Sequence, residues 1–278
     1  MKNKIKAFVN FLINLTKKTR LGLYVLRSLL DLAMGKFVEV SHNGLILKIV
    51  IPNSICEWRA KTFSTKEPET LEWIDSFEEK SVVWDIGANI GLYSMYAAKK
   101  RNCLVWSYEP SVFNLELLAR NIFTNKLHGQ ICIMPFALND KLGLSAMRMT
   151  TTEWGGALST FGENLGWDGK EVNEIFEFKT IGLSMDEAKG LLKIPQPDYL
   201  KMDVDGLEHF ILKGGKSVLQ LVKGVLIEVN DDFHEQAEQC YQLLTQAGLV
   251  MKKKCQSDYI ASNTGGFQNT YNQIWARI

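Results

Sequence analysis

A group of glycines and acids between Val82 and Glu109 has the residue types and spacing of a small-ligand site. A short apolar, β-favouring run ends in Asp85, and the turn after it contains Gly87 and Gly91. Glycine lets a ligand approach the backbone without meeting a Cβ. The G-x-x-x-G spacing differs from the G-x-G-x-x-G of dinucleotide sites, so a pyrophosphate is not favoured. A carboxylate just before the glycines favours a cationic or hydroxylated ligand.

Glu109 adds a second element to this site. It lies 24 residues after Asp85, at the end of the next predicted strand. An acid in that place can accept hydrogen bonds from both hydroxyls of a ribose. Each feature alone also arises from turn chemistry, because Asp and Gly often follow strands. In this order they indicate S-adenosylmethionine as the ligand.

A second acidic and basic group follows a later predicted strand and comprises Lys201, Asp203, Asp205 and Glu208. Carboxyl ends of parallel strands meet at one sheet edge, so we expect Asp203 to face the same site as Glu109. Methylation of a hydroxyl requires removal of its proton, and Asp203 is the predicted base. An inward-facing Lys201 would pair with Asp203 or hold an anionic substrate.

Two capping alternatives accompany these assignments. The spacing of Asp205 and Glu208 is also that of a helix cap and its reciprocal partner. Asn89 in the glycine turn has the residue type of an N-cap for the next helix.

A magnesium site is a further alternative. Asp203, Asn230 and Asp231, at the ends of two predicted strands, resemble the metal ligands of catechol-type O-methyltransferases. An octahedral oxygen site needs more ligands than these. We therefore predict no metal.

Alternating strands and helices position both groups. Short apolar runs predict buried strands, and the segments between them have helical periodicity. This alternation predicts a mostly parallel sheet with right-handed crossovers. The predicted strands are 82–86, 104–108, 131–135, 199–204 and 225–229, and the predicted helices are 92–100, 112–124 and 207–221, with a capping box at Ser184–Glu187 starting another.

Other segments lie outside this alternation. Residues 39–68 are predicted as a small strand-rich lead-in, with a strand pair around the turn at 42–44. Residues 146–179, rich in Gly, Thr and Trp, are predicted as an insertion that shapes the substrate site, with Trp154–Phe161 suited to stacking on a sugar. Residues 248–278 are predicted as an antiparallel hairpin at the sheet edge. The main domain is predicted over 69–278.

The N-terminal arm, residues 1–38, is basic and apolar. It has eight lysines and arginines against Asp31 alone, a net of +7 in a chain whose formal net charge is +1. The pattern predicts one or two helices broken near 19–22. They either pack on the body with their lysines in water or contact an anionic membrane surface or polyanionic partner. The longest uncharged run, 7–16, is shorter than the roughly 20 residues of a membrane-spanning helix.

Composition places the 278-residue chain among globular proteins. Its five cysteines are scattered without paired spacing or a histidine cluster, a pattern typical of a reduced, intracellular protein. We expect a cytoplasmic protein, peripheral to the membrane if the arm binds there, with a small-molecule or glycan substrate and no nucleic acid partner.

Five segments together resemble the FkbM family of S-adenosylmethionine-dependent methyltransferases. The resemblance covers residues 69–278 and implies the seven-stranded, mostly parallel α/β fold of class I methyltransferases, Rossmann-like with helices on both faces. It also implies O-methylation of a hydroxyl on a sugar, glycan or other small metabolite. The segments are WDIGANIGLYS (84–94), EP (109–110) with Asn114 and Asn121, ALND (137–140), YLKMDVDGLEHFILKGG (199–215) and VLIEVN (225–230).

The resemblance assigns further roles residue by residue. Val204-Asp205 departs from the family, which often has Glu before the glycine. The cofactor-binding residues implied are Asp85, Gly87, Ala88, Asn89, Gly91 and Tyr93 at the methionine and ribose end, Glu109 on the ribose, and Pro110, Ala137, Leu138 and Asp140 beside the adenine.

Two other functions remain as alternatives at this point. A nicotinamide-dependent oxidoreductase would use the same strand, turn and acid, and the missing middle glycine disfavours it. A non-catalytic, membrane-associated member of the methyltransferase fold would not need the intact acidic groups.

Overall fold

The computed structural model describes residues 2–262 and 267–277, without the side chains of residues 2, 3, 258 and 260. Within them, the helices are α1 (Lys2–Thr16), α2 (Arg20–Gly35), α3 (Ser54–Lys61), α4 (Pro68–Asp75), α5 (Leu92–Arg101), α6 (Val112–Thr124), α7 (Met185–Leu192), α8 (Glu208–Lys213), α9 (Lys216–Leu219), α10 (His234–Gln246) and α11 (Asp258–Ala261). The strands are β1 (Phe37–His42), β2 (Leu45–Val50), β3 (Val82–Ile86), β4 (Leu104–Tyr108), β5 (Ile131–Met134), β6 (Ala137–Leu138), β7 (Gly143–Met149), β8 (Thr160–Phe161), β9 (Phe176–Leu183), β10 (Tyr199–Met202), β11 (Gly224–Asn230), β12 (Val250–Cys255) and β13 (Thr270–Ala276).

The central sheet has seven strands in the order β12-β13-β11-β10-β3-β4-β5. Strands β5, β4, β3, β10 and β11 are parallel neighbours, and β13 is antiparallel to both β11 and β12. This confirms the predicted fold class. The five strands predicted between residues 82 and 229 are all present, with ends that differ by at most two residues.

The chain leaves β3 towards β4 and β5 and later returns to place β10 on the other side of β3. Such a reversal of strand order opens a crevice at the carboxyl ends of the strands. The sheet is covered on both faces by apolar clusters, one of which includes Leu71, Met95 and Leu117 and the other Trp84, Leu200 and Leu212.

Several predicted segments differ from the structure. The helix predicted over 207–221 is two short helices, α8 and α9, separated by Gly214 and Gly215. A Cβ on Gly214 would lie 2.4 Å from the Asn139 carbonyl oxygen, so close packing on that loop accounts for the glycine there. The insertion is also wider than 146–179, because β6, β7, β8 and β9 form a separate four-stranded sheet over 137–183.

The predicted hairpin at the C-terminal end is present as β12 and β13. Strand β13 lies against β11, so β12 and not β13 forms the sheet edge. The lead-in hairpin of β1 and β2 is also present, and its turn contains Asn43 and Gly44 with positive φ.

The N-terminal arm forms α1 and α2, and Thr19 caps α2 by accepting a hydrogen bond from the Gly22 amide. None of the helices in the described residues is long and apolar enough to cross a membrane.

Candidate active site

Two clefts open at the carboxyl ends of β3, β4, β10 and β11. The inner cleft encloses about 640 Å³ of empty space, including its open mouth. The outer cleft has about 930 Å³ and opens between α3, β11 and α11. Both clefts are lined by Gly87, Asn89, Ala157, Asp203 and Asp205, so they meet there.

Glu109 lies on the wall of the inner cleft, directly after β4, and is 5 % exposed. One carboxylate oxygen accepts a hydrogen bond from the Asn89 amide at 2.8 Å, and the other accepts one from the Ser111 amide at 2.7 Å. Burial raises the pKa of Glu109 to about 7, although the two amides act in the opposite direction. A carboxylate has about four lone-pair sites, so each oxygen retains capacity for a ligand hydroxyl.

The remaining wall of the inner cleft suits a flat, apolar ring. Besides Glu109, it is lined by Ile86, Tyr108, Pro110, Phe136, Ala137, Leu138, Met147, Phe161, Leu207 and Ile211. Polar residues, among them Asn114, Asp203 and Asp205, line the rest of the cleft. An apolar wall beside a buried acid fits an adenosine group, whose ring is apolar on its faces and whose ribose is polar.

Asp85 lies behind the inner cleft rather than on its wall. Its carboxylate is 2 % exposed and accepts a hydrogen bond from the Ser94 hydroxyl at 2.5 Å. Asp85, Ser107 and Lys201 are partners in register on β3, β4 and β10, so their side chains share one face of the sheet. Burial raises the pKa of Asp85, and the Lys201 ammonium 3.7 Å away opposes that shift. Asp85 therefore lies behind the glycine turn and stabilises it.

Gly87 brings the glycine turn into contact with the end of β10. Its φ is +82°, and a Cβ there would lie 1.9 Å from the Asp203 carbonyl oxygen. Gly91 has φ +85° and faces away from the cleft, since a Cβ there would lie 2.4 Å from Leu118 Cδ1. Because Gly87 has no side chain, the glycine turn packs against the end of β10, where the two clefts meet. Because Gly91 has no side chain, α5 can pack on α6.

We expect Gly87→Ala to lower the free energy of unfolding by at least about 2 kcal/mol more than Gly44→Ala, measured by urea unfolding. Gly44 is a matched control because its φ is +77° and a Cβ there would meet nothing within 4 Å. Both variants have the same backbone strain, and only Gly87→Ala adds the collision. Equal losses in the two variants would contradict this packing.

The segment Trp154–Leu158 of the insertion closes over the clefts. The Gly156 carbonyl accepts hydrogen bonds from the side chains of Asn89 at 2.7 Å and Asn114 at 3.1 Å. The Leu158 amide donates to the Asp205 carboxylate at 2.7 Å. Side chains from three separate parts of the fold thus hold this covering segment in place.

These contacts correct the two capping predictions. Helix α5 begins after Gly91 without a side-chain cap, and Asn89, at φ +50°, binds the covering segment instead. Helix α8 likewise has no side-chain cap, and Asp205 binds Leu158. The spacing of Asn89 and Asp205 in the sequence fits a cap. In the folded protein, however, both side chains form hydrogen bonds with the distant insertion instead.

Glu208 is fully buried and holds the loop that carries Asp203 and Asp205. Its two oxygens accept hydrogen bonds from the Val204 amide at 2.9 Å and the Gly206 amide at 3.1 Å, and Gln236 also donates to it. Burial raises the pKa of Glu208 to about 7. Its position supports a role in shaping the loop rather than in contacting a ligand.

Asp203 lies where the clefts meet, and its carboxylate is 3.2 Å from the Lys201 ammonium. Burial alone would raise the pKa of Asp203, but Lys201 and then Lys66 outweigh it and lower that pKa. Asp205, two residues further along the chain, differs, because burial and the charge of Asp203 raise the pKa of Asp205 to about 6. Asp203 therefore stays ionised, and Lys201 has the predicted inward position and pairs with it.

Glu228 is a functional candidate that the sequence reasoning missed. It lies on β11 and lines the outer cleft. The residue before it, Ile227, is the register partner of Met202 on β10. Burial, followed by the charge of Asp203, raises the pKa of Glu228 well above its ordinary value. The signal was present in VLIEVN, where a single acid interrupts an otherwise apolar buried strand.

The outer cleft also has a basic and aromatic rim outside the predicted site. The Arg59 guanidinium donates to the Gly155 carbonyl at 2.8 Å, and Lys66 lies nearby on the same wall. Among the described residues, no carboxylate lies within ion-pair distance of Arg59. Trp58 donates to the Tyr259 hydroxyl at 2.7 Å, and the two rings form the aromatic part of the rim.

The remaining predicted residues fall in different places. Pro110, Ala137 and Leu138 line the inner cleft, and Ala88 and Tyr93 line a smaller recess beside Lys201 and Asp203. Asp140 lies outside both clefts, on a separate surface depression with Lys141 and Gly143. Trp154 lines neither of the two clefts, and its indole donates a hydrogen bond to Glu116 at 3.2 Å.

The residues of the magnesium alternative have other partners. The Asp231 carboxylate binds the Lys254 ammonium at 2.6 Å, and Asn230 donates to the Trp167 carbonyl at 3.2 Å. In the described part of the chain, no cluster of three His, Cys, Asp or Glu side chains could hold a metal ion.

The fold and this site define a class I methyltransferase. The sequence of residues 85–251, more than half of the chain, matches the family model described as the methyltransferase FkbM domain. The chain therefore belongs to the FkbM family of methyltransferases, and S-adenosylmethionine is its cofactor. This confirms the resemblance and decides for a methyltransferase over a nicotinamide-dependent oxidoreductase.

Two further comparisons agree with the family. The hexuronic acid methyltransferase AglP of Haloferax volcanii is 26 % identical over 175 residues, which are 62 % of this chain and 66 % of that protein. The chain thus spans just under two thirds of that relative. The crystal structure of methyltransferase FkbM from Methylobacillus flagellatus KT has a TM-score of 0.50 and 13 % identity, and covers 80 % of this chain and 52 % of that one. This likeness concerns the fold alone.

Proposed function

We propose that this protein transfers a methyl group from S-adenosylmethionine to a hydroxyl of an acidic sugar, free or within a glycan. The observation that carries the proposal is the junction of the two clefts. The inner cleft suits an adenosine group, the outer cleft is open to a larger molecule, and the two meet at Asp203 and Asp205. The similarity to the hexuronic acid methyltransferase AglP of Haloferax volcanii supports the same substrate class.

The residues present fit the cofactor. Glu109 would hold the ribose hydroxyls, and Ala137 and Leu138 would pack beside the adenine. When bound, S-adenosylmethionine supplies an electrophilic methyl group on a sulfonium. Holding the acceptor oxygen in line with that group provides much of the acceleration, and the covering segment Trp154–Leu158 limits access of water.

Electrostatics favour a hydroxyl over a carboxylate as the acceptor. Asp203, Asp205 and Glu228 all line the outer cleft near the junction. Carboxylates repel a second carboxylate placed against them, whereas a hydroxyl can donate its hydrogen to one of them. The guanidinium of Arg59, which has no carboxylate partner among the described residues, would bind the carboxylate of the sugar, whereas the Lys66 ammonium on the same wall is already paired with Glu67.

The proton acceptor we propose is Glu228, with Asp203 as its electrostatic partner. A general base works best when its pKa lies near the working pH, and the lowered pKa of Asp203 makes that residue a weak base. Glu228 has the raised pKa of the pair. Neighbouring carboxyls whose pKa values are driven apart commonly divide the acid and base roles. Glu228 would accept the proton of the acceptor hydroxyl, while S-adenosylmethionine would supply the methyl group to the hydroxyl oxygen, with S-adenosylhomocysteine as the leaving group.

The substrate class is tested by comparing methyl transfer to a glucuronide and to the matched neutral glucoside. We expect the wild type to prefer the glucuronide at least tenfold in kcat/KM, because a buried charge-assisted hydrogen bond contributes about 1.5–3 kcal/mol. Arg59→Met should remove this preference, while Arg120→Met, a surface control on α6, should keep it. Equal rates on both sugars with the wild type would overturn the proposal.

The product distinguishes the acceptor atom and also the non-catalytic alternative. A methyl ether survives mild alkali, whereas a methyl ester is cleaved. We expect an alkali-stable product. Release of the methyl group by alkali would show carboxylate methylation, and a protein that binds S-adenosylhomocysteine but methylates neither sugar would favour the non-catalytic alternative.

A further inference from the structure

We propose that helices α1 and α2, here called the arm, form a docking surface for an anionic lipid bilayer. Fourteen large apolar side chains of the arm are each at least 40 % exposed. The rest of the described chain has fifteen such residues spread over more than two hundred positions. The fourteen are Ile5, Phe8, Val9, Phe11, Leu12, Ile13, Leu15, Leu21, Leu23, Tyr24, Val25, Leu29, Leu30 and Leu32.

The body of the protein leaves this apolar surface uncovered. Residues 4–15 of α1 are all exposed, and in α2, which is fully described, only Gly22 and Met34 are buried. Gly22 lies against the Thr16 carbonyl at the turn between the helices, and Met34 joins the core at the end of α2. The arm is therefore attached at one end, which excludes the alternative that it packs along the body. Contiguous exposed apolar surface of this extent marks an interaction site.

The distribution of charge identifies the partner. Arg20, Arg27 and Asp31 are separated by seven and four residues, so they share one face of α2, and apolar residues occupy most of the remaining circumference. In α1 the lysines lie near the helix start, followed by an uncharged run. Helices with an apolar face and a Lys/Arg-containing polar face lie in the interface of a bilayer, and anionic lipids attract the basic groups.

A bilayer fits this surface better than a second copy of the chain. Residues 1–38, which contain both helices of the arm, have a net charge of +7, so two arms placed against each other would repel. Its apolar residues are also spread widely around both helices, whereas paired helices need only a narrow stripe. An anionic bilayer attracts the positive charge of the arm through its lipid headgroups and can bury the broad apolar surface of the arm among its acyl chains.

The test is co-sedimentation of the full-length protein with two kinds of vesicle. One kind is phosphatidylcholine with roughly one third phosphatidylserine, and the other is phosphatidylcholine alone. The arm variant is Phe11→Glu with Leu32→Glu. The matched control is Phe123→Glu with Leu144→Glu, which makes the same charge change at body positions that are 80 % and 75 % exposed.

We expect the wild type and the control to bind anionic vesicles at least tenfold more strongly than neutral ones. The arm variant should lose at least tenfold of that binding, and added salt should weaken the binding of the wild type. Equal binding by all three proteins, or an equal loss in both variants, would overturn the proposal. So would a wild-type dimer, seen by sedimentation velocity, that the arm variant dissociates while neither protein binds vesicles.

Discussion

Replacing Glu109 by alanine should raise the dissociation constant for S-adenosylhomocysteine at least about 100-fold, measured by titration calorimetry. A hydrogen bond to a charged group contributes about 1.5–3 kcal/mol, and Glu109 can accept two from a ribose. Glu109 is buried on the inner wall, and each of its oxygens already accepts a backbone amide, which orients the carboxylate before a ligand arrives. The loss therefore includes this preorganisation.

Two comparisons separate a loss of ligand contact from a loss of structure. Glu238→Ala, on the exposed surface of α10, should leave the dissociation constant unchanged within about twofold, as expected for a distant surface site. Glu109→Gln retains the size of the side chain and one carbonyl acceptor, so it should bind more tightly than Glu109→Ala. A folded Glu109→Ala protein with the affinity of the wild type would refute the ribose assignment.

Replacing Glu228 by glutamine should lower kcat at least about 100-fold, within the usual range for a general base. Glutamine fills the same space but cannot accept the proton of the acceptor hydroxyl. Glu228 lines the outer cleft, so the affinity for S-adenosylhomocysteine should stay within about twofold of the wild type. Glu72→Gln, at a side chain that is 70 % exposed, is the matched control and should retain full turnover.

The pH dependence tests the pairing of Glu228 with Asp203. Because Glu228 acts in its ionised form, kcat/KM of the wild type should rise with pH through the raised pKa of Glu228. The negative charge of Asp203 contributes to that shift, so Asp203→Asn should lower the pKa of Glu228 and move the rise to lower pH. A rise that stays at the same pH in Asp203→Asn, or that persists in Glu228→Gln, would exclude this division of roles.

Much of the fold could be predicted because its signals are local. Apolar runs at 82–86 and 104–108 predict buried strands, and the residues that follow them must lie at one edge of a parallel sheet. Helix α6, with its cap at Ser111, is also encoded within its own segment. The division of the helix predicted over 207–221 was missed because Gly214 is required by contact with Asn139, more than seventy residues away.

The roles of individual acids were less accessible for the same reason. Asp85 and Glu109 both end strands and look equivalent in the sequence, yet only Glu109 lines the cleft. Asp85 is instead held behind the turn by Ser94 of α5 and by Lys201, which strand register brings beside it. Strand spacing gives the edge at which a residue lies, but it does not give the direction in which the side chain points once the neighbouring helices have packed.

The sequence by itself therefore determined the family, the cofactor and the sheet edge that holds it, because the glycine turn, Glu109 and the strand pattern each depend on a few consecutive residues. Only the tertiary structure decided which carboxyls line the two clefts and how their pKa values differ. Lys201 and then Lys66 lower the pKa of Asp203 against the effect of burial, whereas burial and the charge of Asp203 raise the pKa of Glu228. Lys66, the end of β10 and Glu228 on β11 are far apart in the chain, and burial and charge proximity exist only after folding has brought them together.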